Sequence, residues 1–526
     1  MKRKRHTKRV LISLLIAMTI IASSFGVAFA DDGPGGTPPG GFGGGSGSPG
    51  GTPPGGFGGG SGGPGGTPPG GFGGGGGTSS SDISYTGVTE FSSDTSEDGQ
   101  SYSSSGSNEQ ALLVSGGTST VSNATVTKTG DSDGDESDFY GTNAAVLATS
   151  GTLNISDSNI STNGTHANGV FAIGDGVINI SDSTITTSSN TSGGVMVTGG
   201  GTLNADNLTV ETSGNSSAPI RSDRGGGTLT VNGGTYTSHG TGSPVVYSTA
   251  DITVNDAEMT STASEGVVVE GKNSVTLNGV TMTADNNTHN GKSETYKAIF
   301  LYQSMSGDAD EGTASFTSKD SKINVLNGDT IFVTNTTASI YLENNEIVNE
   351  SGDFLRIQSG AWGTEGSNGG NVTATLSNQK IEGDIIVDSI SSLDLTLENG
   401  SKYFGAIDTD NQAGSVNLTM SEDSVLVLTA DTYVDSLTNE DASNSNIYLN
   451  GYKLFVNGEE TAANEGTYVE DTAEDEAVQE EVASEEVTET EEETSGSMPY
   501  IVGGIVIAAA IAGSAVAFKR KSSDPK

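Results

Sequence analysis

The chain has 526 residues, with 22 Lys and Arg against 66 Asp and Glu, giving a formal charge of −44. So acidic a chain disfavours nucleic acid and bare anionic lipid as partners and leaves cations, neutral glycans and basic proteins. There is no Cys, which excludes disulfides, thiolate metal sites and a cysteine nucleophile, and with four His a multi-histidine zinc site is not expected.

The first element is a leader. Lys2, Arg3, Lys4, Arg5, Lys8 and Arg9 precede the apolar run Val10 to Ile21, and Ala28-Phe29-Ala30 obeys the small-x-small cleavage rule. Residues 1–30 therefore read as a secretory signal peptide. Residues 31–106 read as a disordered tail. Three 15-residue units, starting at Pro34, Pro49 and Pro64, hold too much Gly and Pro to pack a core, and Ser-rich sequence follows them.

A repeat dominates the middle. Gly151-Thr152-Leu153-Asn154-Ile155 recurs at Gly176, Gly201 and Gly227, in steps of 25, 25 and 26 residues. An apolar run such as Val170-Phe171-Ala172 precedes each copy, and a run such as Thr184-Ile185-Thr186 follows it. Three β-prone runs per period describe one coil of a parallel solenoid, because no coil can bury its apolar face alone. Alternation turns Leu153 and Ile155 inward and Asn154 outward.

Taking the first run of each coil as a marker gives Ala111, Ala145, Val170, Val195, Ile220, Val245, Val268, Phe300, Phe332, Leu355 and Ile386. This predicts an all-β solenoid of about 12 coils over residues 107–460. Long steps mark inserted loops near 131–138, 285–296, 304–312 and 361–371. Asn450-Gly451, between two alternating runs, reads as a hairpin that closes the last coil. Residues 461–499 form an acidic run without Lys or Arg and read as a solvated stalk. Residues 500–518 carry no charge and are long enough for a transmembrane helix, and the basic tail 519–526 would stay in the cytoplasm.

The repeat, with its Gly and Asn turns, resembles the right-handed parallel β-helix superfamily, the pectate-lyase-like fold. It looks most like the glycan-binding or adhesin-like surface members from Gram-positive bacteria. The C-terminal layout resembles their cell-wall sorting tail, but Met498-Pro499-Tyr500-Ile501 stands where a Leu-Pro-x-Thr-Gly signal is expected. A single-pass membrane anchor with the ectodomain outside is the expectation.

Candidate chemistry is sparse. Asp131, Asp133, Asp135 and Asp138 alternate through a Gly-containing loop, as do Asp308 and Asp310 in a second one. Such loops can gather the six to eight oxygens that Ca²⁺ takes, and a solvated acidic insertion is the alternative. Arg221, Asp223, Arg224 and Arg356 stand out because Arg is scarce, and Arg221 and Arg356 fall in one column. The resemblance implies that Arg221 or Arg224 could act as a lyase base beside calcium. Their neighbours in that column read as Met196, Val246, Leu301 and Val333, which ligate nothing, so a structural pair with Asp223 between two Arg is favoured. The stripe Val146, Phe171, Met196, Val246, Leu301, Val333 and Val387 reads as an outward apolar contact surface, unless another segment covers it. Trp362, on a Gly-rich loop, can stack on a sugar or pack over the coil edge. The resulting expectation is a surface protein that binds polysaccharide, a glycan or another surface, and is not assigned as an enzyme. A polysaccharide lyase or hydrolase of the same fold and a structural spacer are the alternatives.

Overall fold

The computed structural model describes residues 83–132, 134–290, 293 and 295–470. The leader, the Gly/Pro units, Asp133, the stalk beyond Glu470, the apolar run 500–518 and the basic tail lie outside the described residues. What is described is all-β except for the short helix Asp135–Tyr140, and none of it forms a helix long and apolar enough to cross a membrane.

The molecule is a parallel β-solenoid with three strands per coil. The repeated Gly-x-Leu-Asn-Ile segments stack in register: Ile178 pairs with Leu203, Leu203 with Leu229 and Leu229 with Ile252. This is the second ladder. The runs before and after it stack as a first and a third ladder, for example Val195 on Val170 and Ile185 on Ile160. Inward side chains alternate as the sequence predicts. Leu153, Ile178, Leu203 and Leu229 are fully buried in one column, with Ile160, Ile185, Val210 and Tyr236 facing them from the third ladder. Each such side chain contributes roughly 1.5–3 kcal/mol of transfer free energy.

One residue turns the chain between the second and third ladders. Asn123, Asp157, Asp182, Asn207, Asp256, Asp320 and Asn344 all adopt φ between 46° and 54°. Asn and Asp tolerate this left-handed conformation because a short polar side chain can bond locally. Here it bonds to the next coil: Asn207 Nδ2 donates to Asp182 Oδ1 at 2.7 Å, and Asn344 Nδ2 to Asp320 Oδ1 at 2.6 Å. At another corner the backbones touch, and a Cβ on Gly164 or Gly240 would overlap the carbonyl of Gly130 or Gly214.

The solenoid has about 15 turns rather than 12. It starts at Gly87, inside the segment read as tail: Gly87–Phe91, Thr95–Asp98 and Ser101–Ser104 pair in parallel with Gln110–Val114, Thr118–Ser122 and Thr125–Lys128. This end coil buries only Phe91 and Tyr102 among its large side chains and keeps Glu97 half-exposed. A terminal coil covers the core with polar groups, so it lacks the apolar period. At the other end, strands Ser392–Glu398, Ser415–Met420 and Ser436–Asn439 carry the second ladder further than the markers reached.

Asn450-Gly451 is a coil corner, because Leu454–Val456 beyond it pairs in parallel with Thr432–Val434. The hairpin lies at Asn457-Gly458, where Leu454–Val456 turns antiparallel onto Glu459–Thr461. The chain also stays on the solenoid past residue 461, since the Tyr468 ring meets those of Phe404 and Tyr448 at 5.4 and 5.1 Å.

Candidate functional site: a groove between two insertions

All four long insertions leave from the edges of the first ladder. The segments 129–144 and 286–296 precede a first-ladder strand, and 303–312 and 358–369 follow one. That ladder differs from the other two in being buried on both sides: Val195–Thr198, Val267–Glu270 and Lys297–Tyr302 have no exposed position.

The outward column of this ladder runs Leu147, Phe171, Met196, Arg221, Tyr247, Val268, Phe300, Phe332, Arg356. Arg221 and Arg356 do share it. An outward apolar column exists, but only two of the seven residues expected in it from the sequence belong to it. Phe171 and Met196 face out, whereas Val146, Val246, Leu301, Val333 and Val387 face the coil interior. The stripe is also covered. Phe139 and Tyr140 of the short helix pack over Leu147, Phe171 and Met196, and Trp362 packs over the cluster of Tyr247, Val268, Phe300 and Phe332.

Between the two clusters lies a buried polar network. Arg221 Nη2 donates to Asp223 Oδ2 at 2.9 Å. Burial pushes the Asp223 carboxyl up to about 7, against the pull of Arg221. Asp223 does not bridge two guanidinium groups as expected. It accepts the Arg224 backbone N–H at 3.0 Å, while the Arg224 side chain reaches Asp308 Oδ1 at 2.7 Å and lies 3.7 Å over the Phe139 ring. Arg224 thus joins two insertions that are far apart in sequence.

Asp308 is thereby engaged by a guanidinium. Asp138 sits 2.6 Å from His166 Nδ1, and Asp131 accepts the Thr165 N–H at 2.8 Å. Asp310 is exposed. Among the described residues no three carboxylate or imidazole groups come together. Arg356 binds Asp329 at 2.6 Å and also contacts Asp353, a local cluster separate from Arg221.

Several site residues were not legible from the sequence alone. Glu270, 1 % exposed, accepts hydrogen bonds from Tyr247 and Tyr302, at 2.5 and 2.9 Å, and from the Ser304 hydroxyl. Burial raises its carboxyl above the usual range. Lys297 and Glu265 form a buried ion pair at 3.0 Å. Burial is the largest influence on Glu265 and works against its charge, but Lys297 and the hydrogen bonds, including one from Ser264, together outweigh it and the carboxyl stays low. The available signals were a lone Glu closing Val267-Val268-Val269 and a lone Lys opening Ala298-Ile299-Phe300.

Outside this network lies an open groove of about 670 Å³. Its walls are the insertions 303–312 and 361–367, which leave the same edge of the solenoid two coils apart. The coil between them turns tightly at Asn335, so Asn335, Thr336 and Thr337 form the floor. Asn335 Nδ2 fixes that floor by donating to Gln303 O at 2.7 Å. Two stacked coils span roughly 10 Å, enough for one extended polymer chain. Glu311 is the one titratable side chain among the lining residues, the others being chiefly Gln, Ser, Thr and Asn. Trp362 stands in the wall. Its ring rests on Phe300 and Tyr302 at 5.2 and 5.1 Å, and Asn368 Nδ2 holds its backbone carbonyl at 2.8 Å. The indole is half-buried, so it packs over the coil edge and still presents surface to the groove.

No family model, curated protein or solved structure matches this chain.

Proposed function

We propose that the chain is a carbohydrate-binding protein of the cell surface that holds a glycan chain in the groove beside Trp362. The observation that carries this reading is the groove's chemistry. A rigid aromatic face supported from behind, with many neutral donors and acceptors and a single carboxylate, suits a neutral polyhydroxylated ligand. The acidic surface weighs against anionic polymers. Export through the leader, anchoring by the apolar run 500–518, and kinship with the pectate-lyase-like surface proteins of Gram-positive bacteria belong to the same proposal.

A lyase or hydrolase gains less support. Glycoside hydrolysis calls for two carboxyl groups flanking the scissile bond, and the groove lining offers Glu311 alone. Arg221 and Asp223, 3 % exposed each, are sealed beneath the insertions and do not reach a substrate.

The test is a glycan array probed with the full chain and with Trp362→Ala. Binding that falls several-fold, up to about tenfold, in the variant supports the groove, since an aromatic contact is worth up to about 1.5 kcal/mol. An array without any binder, or binders indifferent to Trp362→Ala, overturns it.

A further inference from the structure

Trp362 lines a second recess as well as the groove. This one is narrow, with a cavity of about 20 Å³, room for one water molecule or a methyl group. Its walls are aromatic, from Tyr247, Phe300, Tyr302 and Trp362, and its polar side holds Asn290 and the Lys297–Glu265 pair. Lys297 already lies 4.4 Å over the Phe300 ring and 3.0 Å from Glu265, so the recess compensates its own charge and offers no counter-ion to a charged group. What fits is a small neutral substituent with an apolar tip and a polar root.

Trp362 lies between the two cavities, lining both. A glycan lying against Trp362 in the groove can therefore place a side group in the recess. We infer that the groove selects a polymer of N-acetylated amino sugars, with the acetamido methyl entering the aromatic recess and the hydroxyl groups meeting the polar floor. This rests on the glycan reading above and adds the substrate class.

The experiment compares three tetrasaccharides of the same linkage on the full chain by calorimetry: N-acetylglucosamine, glucose and the deacetylated glucosamine. The acetylated tetramer is expected to bind about tenfold or more tighter than the glucose tetramer, the discrimination one small apolar group earns in a fitted pocket. At high ionic strength, which screens Glu311 and the acidic surface, the deacetylated tetramer is expected to bind no better than glucose, because the recess has no free anion. Asn290→Phe, which fills the recess from a partly exposed position, should bring the acetylated tetramer down to the glucose level. Equal affinity for the acetylated and glucose tetramers overturns the amino-sugar assignment while the glycan reading stands. Tighter binding of the deacetylated tetramer overturns it in favour of charge recognition. Failure of all three tetramers together with a blank array overturns both readings.

Discussion

The second ladder has one dry face and one wet face, while the first ladder is dry on both. Along the second ladder every other side chain meets water, so Thr228, Asn204 and Asn232 stand outside the column of Leu203 and Leu229. Along the first, Val195, Met196 and Val197 are all buried, because coil neighbours fill one side and inserted segments fill the other. A parallel strand covered on both faces reads as a continuous apolar run, and one covered on a single face reads as an alternation. The difference locates the functional relief of the molecule, since only the doubly covered ladder carries the insertions that build the groove.

The largest expected effect tests the double covering itself. Phe300 points away from the coil interior yet is 3 % exposed. Phe300→Ala should cost about 3–5 kcal/mol, as for an interior aromatic. Thr228→Ala, equally outward on the second ladder, should stay within about 0.5 kcal/mol. Chemical denaturation of the two variants measures both, and similar small losses would show that the cover over Phe300 is not formed. Phe139→Ala sharpens the point at the other cluster, where about 3 kcal/mol is expected. Hydrogen exchange should then rise in residues 135–148 and stay protected in the second ladder, because the insertion can open without unwinding a coil.

Buried hydrogen bonds separate the two regions next. Tyr247→Phe removes one donor from the buried Glu270, and should cost about 1.5–3 kcal/mol by thermal unfolding. The pH response should even change sign. Asp223 and Glu270 have carboxyls raised by burial, so the folded chain holds their protons more tightly than the unfolded one. Stability from the covered face is therefore present at acid pH and is lost as pH climbs from the ordinary carboxylate range through about 7 for Asp223. Asp98, on the wet side, is lowered by hydrogen bonds from Asn123 and Ser122, so its contribution is present at neutral pH and lost on acidification. Melting temperatures of Asp223→Asn and the parent should differ in slope between pH 5 and 7, and parallel curves there would remove Asp223 from the account.

The same contrast explains what the sequence made legible. Alternation marks which residues face in, so Leu153, Ile155 and Asn154 were placed correctly from their pattern alone. In the first ladder nothing alternates, and markers such as Val245 and Phe300 slipped by one residue from the inward positions Val246 and Ile299. The Arg221–Arg356 column survived because both residues interrupt an apolar run at the same place. The partners of the acidic loops were invisible: Asp308 meets Arg224 across 84 residues, a contact fixed by the register of the coils between them. Asn450-Gly451 and Asn457-Gly458 both place Asn and Gly at positive φ, yet only the second reverses the chain. Residues beyond Gly451 run on to a parallel neighbour in Thr432–Val434, whereas Glu459–Thr461 beyond Gly458 turns back onto Leu454–Val456. The groove followed from corner lengths, with a tight turn at Asn335 flanked by two long ones, and aligning the corners instead of the strands would have shown it.

The smallest expected effect comes from the polar ladder on the wet face. Asn179 Nδ2 donates to Asn154 Oδ1 at 2.8 Å and its own Oδ1 accepts from Asn204 at 2.9 Å. Asn179→Ala deletes both bonds, twice as many as Tyr247→Phe removes from Glu270. Even so, it should cost only about 1 kcal/mol, because Asn154 and Asn204 are partly exposed and water can replace the lost partner, while Glu270 is 1 % exposed. Paired thermal melts of the two variants give the comparison. A loss from Asn179→Ala as large as that from Tyr247→Phe would mean that the amide ladder is shielded from water, and that the second ladder is covered too.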